Sequence, residues 1–411
     1  MINILETQYT GKLRVEVYNN TVASPIANAQ VIVREANGTE ELFNVLTNSD
    51  GSTALLTLSA PPSIYSTQTD EPQPYTPYDV EIIAQGFRPI LIRGVQIFPN
   101  TTALQPVYVE LGEGNEQIIT IKPPVLWGDY PEKIPENEVK PIPEETGFVV
   151  LDSVVVPEYI VVHDGAPDSD GENYYIPFKD YIKNVASSEI YSTWDTEAIK
   201  ANVLAIISFT LNRVYTEWYR SRGYDFTITN STRYDQSFDY GRTIYTEISD
   251  IVDELFTTYI KRIDSNQPLF AQYCDGKQVT CPNWLSQWGS QDLAQQGYSA
   301  IDILRYYYGD NIYLEQSDRV SGIPSSFPGE ALIVGSQGDD VRTIQQQLNS
   351  VSNVYTAIPK LAVDGIYGEN TANAVREFQN IFNLAETGVV DFSTWYEISQ
   401  IYVSIEKLAQ L

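Results

Sequence analysis

The chain has 411 residues, a length that predicts about two to four domains rather than one compact core. Its 43% hydrophobic content lets each domain bury a core, and its formal net charge of −29 makes it strongly acidic. Nucleic acid and anionic membranes are disfavoured as partners, because phosphate groups bind Lys and Arg, which Asp and Glu outnumber here.

No segment has the features of an export or membrane signal. The first residues, Met1-Ile-Asn-Ile-Leu-Glu-Thr-Gln, lack a basic segment followed by a long apolar run. No later stretch approaches the length of a membrane span. Export by the general signal-peptide route is therefore not expected. An extracellular target would require synthesis in the compartment where the protein works, release by lysis, or another route.

The N-terminal region, residues 1–113, has the pattern of an all-β domain. Lys12-Leu-Arg-Val-Glu-Val-Tyr and Tyr78-Asp-Val-Glu-Ile-Ile-Ala alternate apolar and polar residues, and Asn48-Ser-Asp-Gly supplies a turn. We predict an antiparallel β-sandwich. The order of Pro25-Ile-Ala-Asn-Ala-Gln-Val, the turn and the second strand resembles transthyretin-like or carboxypeptidase-regulatory-like modules. That resemblance implies a module that binds or shields something.

Residues 114–153 form a Pro-rich segment that contains Lys122-Pro-Pro and Tyr130-Pro-Glu-Lys-Ile-Pro. Repeated Pro with charged residues predicts an extended, solvated linker. Such a linker is also the most accessible place for a protease to cut.

The central region, residues 154–320, mixes predicted helices and strands. An apolar stripe recurs at helical spacing from Phe178 to Val185, and Glu189 continues it. Desolvation on a buried face favours the protonated form of a carboxylate near neutral pH, which is what a general acid needs. The alternative is that Glu189 ends the helix and turns to water or pairs with a Lys.

A second helix is predicted in the almost uncharged run from Trp194 to Trp218, which is apolar nearly all round. Such a helix belongs in the middle of a domain. The break Ser321-Gly-Ile-Pro-Ser-Ser-Phe-Pro-Gly then separates the central region from residues 329–411.

Two blocks of the central region are similar to the stage II sporulation protein D (SpoIID) family. Glu189-Ile-Tyr-Ser-Thr-Trp-Asp-Thr-Glu-Ala-Ile-Lys-Ala-Asn matches its Glu-x(4)-Trp-x(2)-Glu-Ala-Leu-Lys-Ala-Gln signature, and Ser286-Gln-Trp-Gly-Ser matches its second block. The resemblance implies a central α+β SpoIID-like domain with Glu189 as the catalytic residue. The implied substrate-binding residues are Trp194, Tyr273, Ser286, Gln287 and Trp288.

The resemblance implies a lytic transglycosylase that cleaves peptidoglycan glycan strands without a cofactor or metal. Glu189 would protonate the oxygen between N-acetylmuramic acid and N-acetylglucosamine, and then deprotonate the muramic C6 hydroxyl to close a 1,6-anhydro ring. A hydrolase with a second carboxylate stays open, because Asp195 and Glu197 lie nearby in sequence. Lys200 is expected to pair with Glu197 on the helix surface.

The chain departs from the SpoIID pattern where Ile207 stands at a position that commonly holds Arg. Arg213 is one candidate to replace that cation. Before the second block, Cys281-Pro-Asn-Trp-Leu stands where the family often has a Gly/His-rich run, so the groove wall is expected to differ.

His163 is the single histidine, which argues against nucleophilic Ser-His-Asp or Cys-His schemes and against a stem-peptide amidase or peptidase. A zinc site made by His163, Cys274 and Cys281 would lack a fourth ligand unless a carboxylate or water joined. A disulfide or two unreactive thiols is the favoured interpretation of the cysteines.

The C-terminal region, residues 329–411, begins with a predicted acidic helix start at Asp339-Asp-Val-Arg. Val363-Asp-Gly-Ile-Tyr-Gly-Glu-Asn-Thr follows, and it is similar to the Asp-Gly-x-Phe/Tyr-Gly-x-x-Thr hallmark of three-helix peptidoglycan-binding modules. The implied wall-binding residues are Asp364, Gly365, Tyr367 and Gly368.

The whole layout resembles the spore cortex-lytic enzymes, which implies a proenzyme that a subtilisin-like protease activates during germination. The β-sandwich would then be an inhibitory or folding-assisting part, with the cut in the linker. The expected location is the spore cortex and coat region or the cell wall. The alternative is a non-catalytic wall-binding or coat protein in which the missing Arg marks a degenerate active site.

Overall fold

A computed structural model describes residues 9–20, 24–69, 71–112, 114–128, 130–141 and 153–408. Residues 1–8, on which the export prediction rests, and residues 142–152 of the segment predicted to contain the cleavage site lie outside the described residues. Within the described parts of the chain, no helix has the length and apolar character needed to cross a membrane.

The N-terminal domain is a β-sandwich whose two sheets share an apolar core. Strand β1 buries Leu13, Val15 and Val17 at alternate positions, as the sequence pattern predicts. The elements of this domain are β1 (Thr10–Asn19), β2 (Gln30–Glu35), β3 (Glu41–Leu46), β4 (Leu56–Ser59), the single-turn α1 (Ile64–Thr67), β5 (Thr76–Ile83), β6 (Ile90–Ile97), β7 (Thr102–Val109) and β8 (Gln117–Thr120). With β12 (Ile244–Tyr245), which comes from the central region, the two sheets have the strand orders β12-β7-β1-β4 and β3-β2-β5-β6-β8.

The sandwich differs from the antiparallel prediction in two strand pairs. Strands β1 and β7 pair in parallel, as do β6 and β8, so both sheets are mixed. Strand direction across a sheet depends on the route of the connections, which the alternation of apolar residues does not reveal. Strand β8 also lies inside the segment predicted to be a linker.

The central domain surrounds a buried helix, α3, with shorter helices and small sheets. Helix α3 contacts α2, α4, α5, α6 and β13, which confirms the prediction of a helix in the middle of a domain. The elements of this domain are β9 (Tyr159–His163), β10 (Asn173–Pro177), α2 (Phe178–Glu189), α3 (Thr196–Tyr215), a 3-10 turn (Arg220–Arg222), β11 (Ile228–Thr229), β12 (Ile244–Tyr245), α4 (Thr246–Leu255), β13 (Thr258–Arg262), β14 (Tyr273–Cys274), β15 (Leu285–Ser286), α5 (Gln287–Gln295), α6 (Ala300–Tyr308) and β16 (Ile312–Gln316).

The sandwich and the central domain are joined by more than the chain between them. Strand β12 of the central domain pairs with β7 and becomes an edge strand of the sandwich. The buried guanidinium of Arg242 donates to Gln96 Oε1 (3.0 Å), and the Trp194 indole donates to Ser66 O (2.8 Å). Buried apolar residues of the two domains also belong to one continuous hydrophobic cluster.

The Pro-rich segment is not a solvated linker over its described residues. We call residues 121–128 and 130–140 the strap. The strap lies on the central domain and buries Tyr130, Lys133 and Lys140, whose exposed fractions are 6%, 3% and 2%. Its polar groups bond to the central domain, so proline content predicted its extended backbone but not its contacts.

The C-terminal domain contains helices α7 (Asp339–Val351), α8 (Glu369–Ile381) and α9 (Phe392–Leu408). Helix α9 also contacts the central domain, where Lys179 forms ion pairs with Asp253 and Glu397. The same domain reaches the sandwich, because Arg14 Nη1 donates to Asn383 Oδ1 (2.7 Å). All three domains therefore pack against one another.

Candidate functional site

Glu189 is the last residue of α2, and its side chain is fully buried. Three neutral groups donate to its carboxylate: the Ser237 backbone N–H to Oε1 (2.8 Å), the Tyr273 hydroxyl to Oε1 (3.3 Å) and the Gln287 amide to Oε2 (3.0 Å). Among the described residues, no Lys or Arg lies within ion-pair distance of this carboxylate. The predicted alternative, in which Glu189 turns to water or pairs with a Lys, is wrong.

The site is assembled from segments far apart in the chain. The amphipathic stripe of α2 packs into the core and carries Glu189 inward at the end of the helix. Strands β14 and β15 pair in parallel, with Tyr273 opposite Leu285 and Cys274 opposite Ser286. This pairing brings together the two segments whose Tyr273 and Gln287 side chains donate to Glu189. Ser286 begins α5 by accepting a hydrogen bond from the Gly289 N–H (3.0 Å).

Gln287 is the side chain best placed to change its hydrogen bonds when Glu189 gains or loses a proton. Its Nε2 donates to both the carboxylate (3.0 Å) and the backbone carbonyl (3.3 Å) of Glu189. Its Oε1 is buried and has no hydrogen-bond partner. After rotation of the amide, Oε1 would accept a hydrogen bond from the O–H of the acid form of Glu189, so the same side chain suits both protonation states.

The predicted substrate-binding residues have three different kinds of contact. Tyr273 and Gln287 contact Glu189 directly. Trp194 and Trp288 instead pack against each other, with ring centroids 5.2 Å apart, in a buried aromatic cluster beside the sandwich. Ser286 uses its hydroxyl to cap α5.

The two residues considered for the missing cation do not contact Glu189. Ile207 is fully buried in the core of α3. Arg213 is also buried and donates to Asp235 Oδ1 (2.7 Å) and, with two nitrogens, to both carboxylate oxygens of Glu136 (2.6 and 3.0 Å). Arg213 therefore forms a structural ion pair with Asp235 and binds the strap through Glu136. These two carboxylates neutralise its charge.

Two strap residues lie over the site. The Lys133 ammonium is 3.9 Å from the ring centroid of Tyr273 and donates to Asp235 O (2.9 Å). Burial lowers the pKa of Lys133 to about 8, against the opposing attraction of Glu189 and Asp235. Burial, with the nearby charge of Glu189, raises the pKa of Tyr130 well above its usual value. The Tyr130 hydroxyl is buried and has no hydrogen-bond partner.

No pattern in the sequence marks Lys133, Tyr130 or Ser237 as site residues. Ser237 contributes a backbone N–H, which every residue but Pro has, so no residue type marks it. The strap residues sit in a run whose composition is that of a linker. The polar run Asp235-Gln-Ser ends at Ser237, and the structure buries Asp235 and Gln236. Because the run has neither helical nor strand periodicity, its sequence does not predict that burial.

The cysteines and the histidine are accounted for separately. Cys274 and Cys281 form a disulfide, with Cα atoms 5.7 Å apart, that closes the loop behind Tyr273. The zinc alternative is therefore wrong, because bonded sulfurs do not bind the metal as thiolates. His163 hydrogen-bonds Asn173 and Ser169 and stacks on Phe226.

The carboxylates nearest to Glu189 in sequence serve as helix caps. Asp195 accepts from the Glu197 N–H (3.0 Å) at the start of α3. Glu197 accepts from the Ala300 N–H (2.7 Å) at the start of α6. Lys200 pairs with Glu254 (3.8 Å), so the predicted surface pair between Lys200 and Glu197 is wrong.

The hallmark residues of the C-terminal domain shape a loop. Asp364 is exposed and accepts from Gln345 Nε2 and from the Ile366 N–H, both at 2.9 Å. Tyr367 is fully buried and donates to Gly388 O (2.9 Å). Gly365 adopts a φ of 75°, a conformation that favours glycine. The loop formed by Asp364, Gly365, Tyr367 and Gly368 leaves Ile366 51% exposed.

Comparison with protein families identifies two domains. The family described as Stage II sporulation protein, SpoIID, matches residues 171–255. The family described as peptidoglycan binding domain matches residues 337–398. The chain thus contains a SpoIID domain followed by a peptidoglycan-binding domain, which confirms both resemblances.

No curated protein matches the chain. Solved structures with similar segments include catechol 1,2-dioxygenase from Acinetobacter sp. ADP1, at 12% identity over 29% of this chain and 54% of that chain, with a TM-score of 0.16. A Bacteroides fragilis protein described as membrane-associated is 16% identical over 28% of this chain and 32% of that chain, with a TM-score of 0.14. At these TM-scores neither structure bears on this chain.

Proposed function

We propose that this chain, which carries a SpoIID domain and a peptidoglycan-binding domain, is a cell-wall lytic transglycosylase with Glu189 as its catalytic residue. The observation that carries the proposal is a fully buried Glu189 held by three neutral donors within the SpoIID domain and the segments packed on it. These three donors fix the orientation of the carboxylate from both of its oxygens.

A single carboxylate suffices for the proposed chemistry. The carboxylic acid of Glu189 donates its proton to the oxygen that links N-acetylmuramic acid to N-acetylglucosamine, and that bond breaks. The resulting carboxylate removes the proton from the muramic C6 hydroxyl, whose oxygen bonds to C1 and closes the 1,6-anhydro ring. The proton gained in the second step restores the acid, so no water is consumed.

The contacts of Asp195 and Glu197 support one carboxylate rather than two. Each accepts a hydrogen bond at the start of a helix, and a hydrolase would need one of them free to act as nucleophile or as base for water. Asp235 is likewise occupied, since it bonds Arg213, Tyr219 and Thr229.

The proposal extends to the spore cortex, with activation by a subtilisin-like protease during germination and the sandwich as the inhibitory or folding-assisting part. The support is the domain order, with the sandwich and strap packed against the central domain on the N-terminal side of residues 142–152. The rival function is a non-catalytic wall or coat protein that binds peptidoglycan through its C-terminal domain.

Product analysis separates these functions. The full-length chain, before and after subtilisin digestion, is incubated with purified cortex peptidoglycan, and the released fragments are identified by mass spectrometry. We expect 1,6-anhydro-muramic ends, lost in Glu189→Gln and retained in Glu197→Gln, which makes the same chemical change at a helix cap. Reducing ends would instead show a hydrolase, and the absence of any released glycan would show a binding protein.

A further inference from the structure

The buried state of Glu189 conflicts with its proposed chemistry. A general acid must lie within hydrogen-bonding distance of the oxygen that it protonates, yet the Glu189 side chain has no exposed surface. Part of the structure must therefore move before a glycan strand can reach it. The question is which part covers the carboxylate and can leave without unfolding the domain.

The strap is the segment best suited to move. Between residues 121 and 140, the described residues contain no helix or strand, so displacing them breaks no helix or sheet. It passes over the end of α2, where the Val125 N–H donates to Ser188 O (3.0 Å), next to Glu189. Farther along, the Ile134 N–H donates to Arg233 O (2.9 Å).

The strap also contacts the central domain through charged side chains. Lys133 lies over the ring of Tyr273, the residue that donates to Glu189. Glu136 binds Arg213 through both oxygens, and Lys140 lies 3.8 Å from the ring centroid of Phe270. A row of aromatic and charged groups thus lies beneath the strap, and aromatic faces with a buried Arg are suited to bind sugar rings and carboxylates.

The fit of the strap is imperfect where it covers the site. The Tyr130 hydroxyl is buried without a partner, and the Lys133 ammonium is buried with a backbone carbonyl as its hydrogen-bond acceptor. Both features cost free energy, because a buried polar group needs partners that replace water. They weaken the closed state without removing the strong contact of Glu136 with Arg213.

We propose that the strap occupies the glycan-binding groove of the uncut chain, with Lys133 and Tyr130 covering Glu189 and Glu136 taking the place of a substrate carboxylate on Arg213. The inference rests on the proposed function for the identity of the glycan. A cut after Lys140 would leave the strap attached to the sandwich alone, so glycan would then displace a segment tethered at one end.

The test uses Lys133→Glu in the full-length chain, which places a second carboxylate beside Glu189. Glu132→Lys is the matched control, because it reverses a neighbouring charge at an exposed position. A second variant, Glu136→Lys, opposes Arg213 with a like charge. Hydrogen exchange measured by mass spectrometry reports the opening of residues 130–141, and soluble peptidoglycan glycan strands serve as the probe ligand.

We expect at least tenfold faster exchange in the strap of Lys133→Glu and Glu136→Lys, and no change in Glu132→Lys. Added glycan strands should then slow exchange at residues 270–273 in the opened variants more than in the wild type. Release of glycan from insoluble peptidoglycan by the uncut chain should rise at least tenfold in Lys133→Glu.

Two results would overturn the proposal. One is unchanged strap exchange in both variants, which would mean that these contacts do not hold it closed. The other is an opened strap with no added glycan protection of residues 270–273. If added glycan protects residues 270–273 but no glycan is cleaved, the proposal for the strap stands and the proposed enzymatic function is refuted. The two failures are therefore distinguishable.

Discussion

Glu189 and Asp364 are both carboxylates inside the signature motifs of their domains, and the structure uses them differently. Glu189 is fully buried and is bonded by groups from three other segments of the chain. Asp364 is exposed, and its bonds to Gln345 and Ile366 fix the loop in which it lies. A motif therefore identifies a domain, while burial and partners show which of its residues are placed for chemistry.

The largest expected effect is a loss of glycan cleavage when Glu189, but not Asp364, is replaced by the corresponding amide. Glu189→Gln should lower glycan cleavage by about 10²–10⁴-fold, because the amide neither donates nor accepts the transferred proton. Binding of the Glu189→Gln variant to insoluble peptidoglycan, measured by co-sedimentation, should be unchanged. Asp364→Asn should leave cleavage of soluble glycan strands intact. Equal loss of cleavage in the two variants would contradict the distinction drawn between them.

A second prediction concerns the groups that hold Glu189. Gln287→Leu removes the amide that donates to the carboxylate, and we expect cleavage to fall by about 10- to 100-fold, which corresponds to the loss of one hydrogen bond to a charged group. Gln295→Leu, on the exposed side of the same helix, is the control. Initial rates on soluble glycan strands measure the effect. Equal rates for the two variants would remove Gln287 from the site.

The third prediction concerns the effect of the Lys133 ammonium, in the strap, on how the free energy of unfolding depends on pH. Burial holds the pKa of Lys133 at about 8, below its unfolded value, so the unfolded chain binds more protons between these two pKa values. Stability contributed by Lys133 therefore rises with pH above 8. Relative to Lys133→Met, the wild type should gain about 2 kcal/mol of unfolding free energy by pH 9.5.

Thermal melting of both proteins at pH 7.5 and 9.5 measures this difference. The other ionisable groups near Lys133 are Glu189, Asp235, Arg213, Tyr130 and Tyr273. They are present in both proteins, so the comparison isolates the ammonium. Parallel melting curves for the two proteins across this pH range would show that Lys133 titrates normally and is not buried in solution.

The smallest expected effect lies in the C-terminal domain. Tyr367→Phe removes the hydroxyl that donates to Gly388 O and keeps the buried ring, which should cost about 1 kcal/mol of stability. Cleavage of soluble glycan should not change. Tyr306→Phe, at a position that is 65% exposed, is the control for the substitution. A loss of catalytic rate in Tyr367→Phe would mean that the hallmark loop contributes to chemistry.

The amino-acid sequence alone determined the parts of this protein that depend on local periodicity or on unbroken motifs. The stripe of α2, the apolar surface of α3 and the alternation in β1 each follow from side chains a few residues apart, whose burial is set by helix or strand geometry. The two family matches rest on motifs of the same short range.

Only the tertiary structure decided what surrounds Glu189. Ser237, Tyr273 and Gln287 approach it from positions 48, 84 and 98 residues away in the chain. Lys133 comes from a segment whose composition describes a solvated linker, and Arg213 pairs with Glu136 rather than with the site. The physical reason is that such contacts follow from how separate elements pack, and no local pattern of residues encodes their distances.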